Sequence, residues 1–138
     1  METKLTQAEK IALINEAQKV KAQSTSGGAG LAEVNNLSNK SELGFDVDFE
    51  NPKGELGFIG FNDSQGSPWK ANVGGTFLTS PDTISGSGKV KLEKGLLANT
   101  FIINCYDDNG NYLGFLSGST DEDITPADFK GDYKWKSA

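Results

Sequence analysis

The chain has 138 residues, 13 cationic and 19 acidic side chains and a net charge of −6; it contains no His and no Arg. That length suits one domain. The charge balance excludes the basic patches and Arg forks used by nucleic-acid binders, and the missing His removes the usual general base and commonest metal ligand.

Abundant Gly, 17 residues, with a modest 36 % apolar content favours an all-β chain rich in turns. The single cysteine, Cys105, excludes an internal disulfide. No run of 18 apolar residues is present to form a spanning helix, and residues near the N-terminus show no apolar signal-peptide core.

Thr6-Gln7-Ala8-Glu9 is a capping-box pattern. It predicts a helix to about Ala22 with Leu13, Ile14, Ala17 and Val20 on one face, packed on the domain or solvated, or else meeting a membrane or partner. Ser24 to Gly30 then reads as a flexible linker, so residues 1–30 form an N-terminal helix and linker ahead of a single domain over 31–138.

The domain reads as two modules, about 31–80 and 84–136. In the first, Leu31–Asn36 is a weak strand. Leu43–Glu50 follows, with Phe45, Val47 and Phe49 alternating against Asp46, Asp48 and Glu50. Side chains on a strand alternate between faces, so this row has one face inward and one in water. An Asn51-Pro52-Lys53-Gly54 turn leads to a strand over Glu55–Asn62, a helical turn opens at Ser67-Pro68, and Val73–Thr79 is the fourth strand.

The second module repeats the pattern. Its strands fall at Gly88–Glu93, Asn99–Tyr106, Tyr112–Gly118 and Gly131–Lys136. Phe101, Ile103 and Cys105 supply the inward row. Asn109-Gly110 predicts a type I′ hairpin turn, since both residues tolerate positive φ, and Thr125-Pro126 predicts a helix start.

Leu56-Gly57-Phe58-Ile59 aligns with Leu113-Gly114-Phe115-Leu116, Ser67-Pro68 with Thr125-Pro126, and Val73, Gly75 and Phe77 with Phe129, Gly131 and Tyr133. These landmarks predict a duplicated β-β-β-α-β unit. Eight antiparallel strands from two such units suffice to close a small Greek-key barrel filled by its own side chains.

Catalytic chemistry finds little support. Cys105 has no His to pair with and reads as a buried structural thiol. The Gly-Ser runs at Ser26–Gly30 and Ser85–Gly88 lack the features of a phosphate loop. Asp107, Asp108 and Asn109 could join Asp121, Glu122 and Asp123 around a calcium ion, although Asp and Asn are ordinary turn formers. Asp46, Asp48 and Glu50 read as a solvated strand face before they read as glycosidase acids. Trp69 and Trp135 suit barrel-end packing, with sugar stacking or protein contact as the sharper alternative. The expectation is therefore no catalytic, cofactor-binding or metal site, with carbohydrate or calcium-dependent lectin-like binding as the rival function.

YDDNGNYLGFLSGS followed by KGDYKW, with FENPKGELGFIGF and VGGTFLTS earlier, resembles the rhodococcal virulence-associated protein (Vap) family over about residues 43–136. The resemblance implies an eight-stranded barrel of two Greek-key halves. It also implies a secreted, non-enzymatic virulence factor acting on a host membrane or macromolecule, linked to survival in phagocytes and to disturbance of the endolysosomal compartment. A monomer without nucleic-acid partners is expected.

Overall fold

In the computed structural model, which describes residues 7–8 and 26–138, the rows with a period of two close into an antiparallel barrel. Its strands are β1 (Ser26–Asn36), β2 (Ser41–Glu50), β3 (Lys53–Asn62), β4 (Trp69–Phe77), β5 (Gly86–Lys94), β6 (Thr100–Asp107), β7 (Tyr112–Ser119) and β8 (Ala127–Ser137). The order around the barrel is β1-β2-β3-β8-β5-β6-β7-β4. Each half therefore has the Greek-key order, fourth strand beside first, and the halves join where β3 meets β8 and β4 meets β7. Closure leaves no unpaired strand edge to invite aggregation.

The alternation supplies the core. Leu43, Phe45, Val47 and Phe49 of β2 point inward with Leu56 and Phe58 of β3, Phe77, Val90, Leu92 and Phe129. Phe101, Ile103 and Cys105 of β6 complete the filling, all fully buried. Rings meet across it: Phe58 lies 4.8 Å from Tyr133 and Phe45 5.7 Å from Phe58, centroid to centroid. Such contacts add to the burial that holds the barrel closed.

Several expectations need correction. The N-terminal helix falls outside the described residues except for Gln7 and Ala8, which are helical. Gln7 is buried, and its Nε2 donates to the Lys94 carbonyl at 3.3 Å. Ser26–Gly30 is not a linker: it is the first half of β1, paired on both sides, with Gly28 opposite Phe49 and Gly75. Its small residues suit close packing, because a Cβ on Gly28 would run into Val47 and Phe49.

The two expected α segments are absent. Ser67-Pro68 and Thr125-Pro126 have no helical residues after them, and β4 and β8 begin directly. A capping residue followed by Pro favours a helix start but cannot supply the 3.6-residue apolar period that would sustain one. One 3₁₀ turn, Pro81–Thr83, bridges the halves instead.

The turn at Asn109-Gly110 is also of another type. Gly110 has φ +84°, but Asn109 is not in the positive-φ region. Gly110 N donates to Asp107 O at 3.1 Å and Asp107 N to Asn111 O at 3.0 Å, which makes a three-residue loop ending in a left-handed glycine. The Asp107 carboxylate decides it, accepting from Asn109 N at 2.9 Å and Asn111 N at 2.8 Å.

The third strands do not match as the sequence alignment suggests. Phe58 opposes Tyr133 while Gly114 opposes Phe77, so Phe58 corresponds to Gly114 and not to Phe115. A bulge at Cys105/Tyr106 places Leu113 as the extra residue of β7. A shift of one residue exchanges the faces, which leaves Phe115 only half-buried.

Candidate functional site

Strands β3 and β6 both carry apolar residues on their outer faces as well as their inner ones. On β6, outward-pointing Ile102 and Asn104 are out of water. Asn104 Nδ2 donates to Glu93 Oε2 at 2.6 Å, and the Tyr112 hydroxyl donates to Asn104 Oδ1 at 3.0 Å. On β3, by contrast, outward Ile59 and Phe61 are 56 % and 38 % exposed. A strand on a filled barrel needs only one apolar face, so the open apolar face of β3 calls for a role beyond the core.

The register shows what surrounds it. Ile59 lies opposite Gly44 of β2 and Asp132 of β8; Gly57 lies opposite Asp46 and Lys134. Leu31 of β1, 45 % exposed, faces Asp46 from the other side, and Glu33 lies opposite Gly44 and Lys70. Gly44 and Gly57 carry no side chain, so the outer surface sinks between Leu31 on one flank and Ile59 and Phe61 on the other. The result is a saddle of about 580 Å³ across β1, β2, β3 and β8. Lys40 Nζ sits 4.7 Å from the centroid of the Phe61 ring and fixes one corner.

Carboxylates line this saddle: Glu33, Glu42, Asp46 and Asp132, against Lys70 and Lys134. Among the described residues none of the four carboxylates has an ion-pair partner within 4.0 Å; Lys89–Asp128, at 4.0 Å, is a pair elsewhere on the outer surface. The outward row of β2, Glu42, Asp46, Asp48 and Glu50, contains no cation. Asp46, Asp48 and Glu50 are solvated, as their alternation predicts.

The other residues raised by the sequence take structural places. Cys105 is buried, and desolvation pushes its thiol far above the ordinary value of 9.0, with the Tyr133 hydroxyl opposing weakly. Tyr133 OH lies 3.0 Å from the Tyr106 carbonyl and 3.2 Å from that of Lys89. Trp69 is buried, 4.5 Å from Phe101 centroid to centroid. Trp135 is partly buried at the opposite barrel end, 6.1 Å from Phe49. Both are barrel-end packing, at the start of β4 and the end of β8.

The two acidic segments are not brought together. Asp107–Asn109 precedes β7, and Asp121–Asp123 follows it. Eight extended residues separate the two by roughly 25 Å. The first borders the Tyr112 and Tyr133 end, the second the Leu96–Leu97 turn at the other. Among the described residues no group of three or more His, Cys, Asp or Glu side chains could hold a metal ion.

Sequence reasoning did not pick out Leu31, Ile59 or Phe61. The signal was the unbroken apolar run Phe58-Ile59-Gly60-Phe61, which violates the alternation that its neighbour β2 obeys. Which side of that run faces water depends on pairing with β2 and β8, which no local pattern contains.

No protein-family model and no curated protein matches the chain. Among solved structures it is similar to the virulence-associated protein VapB from the intracellular pathogen Rhodococcus equi, with a TM-score of 0.51 at 18 % identity. The match covers 83 % of this chain and 99 % of VapB. What the two share is the fold: this chain is a Vap-like eight-stranded β-barrel.

Proposed function

We propose that this chain is a secreted, non-enzymatic effector of the virulence-associated type that works by surface contact with a host macromolecule or membrane. The observation that carries the reading is an exposed apolar saddle, Leu31, Ile59 and Phe61, on a barrel whose interior is occupied by its own side chains. Exposed apolar surface rimmed by polar groups is the usual mark of a contact site. A barrel filled with Phe, Leu and Val offers convergent carboxylates no inner cleft in which to work. The fold shared with VapB supports the virulence-associated part of the reading.

The test is retention of the purified protein by membrane and cytosol fractions of phagocytes, compared with Ile59→Asp. Saturable retention by one fraction, lost in the variant, is expected. Equal retention of both proteins would sink the reading.

A further inference from the structure

We propose that the β1–β2–β3–β8 saddle docks a cationic, amphipathic segment of a partner protein. Its apolar side chains would seat over Gly44 between Leu31 and Ile59, and its Lys or Arg side chains would meet Glu33, Glu42 and the Asp46 carboxylate that leans over Gly57. The inference rests on the surface-contact reading above and adds the chemistry of the partner.

Three observations lead there. The floor is bare backbone at Gly44, flanked by exposed Leu31 and Ile59, so it receives an apolar side chain, while the Asp46 carboxylate leans over Gly57, its Oδ1 3.1 Å from where a Cβ would stand. The carboxylates beside it have no ion-pair partner among the described residues. The lining carries four carboxylates against Lys70 and Lys134, so a neutral or anionic occupant would strip water from an excess of negative charge, which is costly; a cationic one replaces that water with charge-assisted hydrogen bonds. The dimensions also fit a peptide. Three inter-strand gaps of about 4.8 Å make a span of about 14 Å, crossed by four or five extended residues whose alternate side chains share one face.

The same features disfavour the other occupants. An anionic bilayer would meet the outward carboxylate row of β2, Glu42, Asp46, Asp48 and Glu50, with like charge. A second copy brings another net charge of −6.

The experiment uses the full chain and a fluorescein-labelled ten-residue peptide of alternating Leu and Lys. Anisotropy should show saturable binding, and amide resonances of Gly44, Gly57 and Ile59 should shift. Ile59→Asp adds a negative charge yet should weaken binding by about tenfold or more, because it removes an apolar anchor. Leu31→Asp, on a different strand, guards against a folding defect in the first variant. Glu42→Gln with Asp46→Asn should weaken binding severalfold and flatten its salt dependence.

Binding unchanged or tightened by Ile59→Asp would reveal nonspecific attraction and overturn the proposal, as would shifts confined to other strands. Phosphatidylcholine/phosphatidylserine vesicles and sedimentation equilibrium complete the set. Vesicle binding or self-association that needs Ile59, with the peptide ignored, overturns the cationic partner and leaves surface contact standing. If Ile59→Asp alters none of the three, both readings fall.

Discussion

Gly75 and Gly131 occupy the same station in the two halves of the barrel. Gly75 pairs with Gly28 on one side and Leu116 on the other; Gly131 pairs with Gly88 and Gly60. A Cβ on Gly75 would fall on the Phe115 carbonyl, and a Cβ on Gly131 on the Ile59 carbonyl. Each glycine thus permits the close approach that joins one half to the other.

Gly75→Ala and Gly131→Ala should each destabilise the barrel by about 3 kcal/mol, since backbone and not a flexible side chain must move. Gly86→Ala probes a different cost, because nothing lies within 4 Å of its Cβ position and only its φ of +80° opposes the change. Denaturant melts of the three variants check the ranking. An alanine at 75 or 131 that melts like the native chain would refute the close-approach argument.

Adjacent residues on β3 should behave oppositely. Phe58 is buried against Tyr133, so Phe58→Ala should cost about 3–5 kcal/mol. Ile59→Ser, one residue away on the outer face, should change stability by about 1 kcal/mol or less. Thermal unfolding of the pair reports directly which face is the core.

Cys105 should resist thiol reagents in the native state and react only at the rate of unfolding, because burial disfavours its thiolate. Its pH dependence follows from the same shift. A group whose pKa is raised on folding stabilises the protein below its unfolded value and loses that contribution as pH rises, so stability should decline above pH 9.0. Tyr133 and Tyr112, also raised by burial, extend the decline above 10.0. Cys105→Ala should remove the earliest part of the decline, read from melts at successive alkaline pH values.

Asp107 has the opposite sign. The Asn111 side chain, then the Asn111 amide, donates to its carboxylate and lowers its pKa. Its contribution is present above the ordinary carboxylate value of 3.8 and is lost as pH falls through the lowered one. Amide exchange at Asn109 and Asn111 should therefore speed up in acid. Asn111→Ala should return the titration of Asp107 toward its ordinary value, and Asp107→Ala should make exchange fast at every pH.

How much was legible in the sequence follows from the range of each interaction. Alternation is local, so the inward row Phe45, Val47 and Phe49 and the places of all eight strands, β1 only in its second half, could be read directly. Matched landmarks such as Gly75 and Gly131 lead to the paired Greek-key order because equivalent packing demands equivalent residues. Pairing partners are distant in the chain, and there local reading stopped. Ser26–Gly30 reads as a linker until β2 and β4 take up its backbone hydrogen bonds. The bulge that exchanges Phe115 for Gly114 is set between β6 and β7. The separation of the acidic segments is imposed by the length of β7. The saddle depends most on the tertiary structure: Leu31, Gly44, Gly57 and Ile59 come from three strands, and only closure of the barrel puts the apolar run of β3 against water beside carboxylates with no ion-pair partner among the described residues.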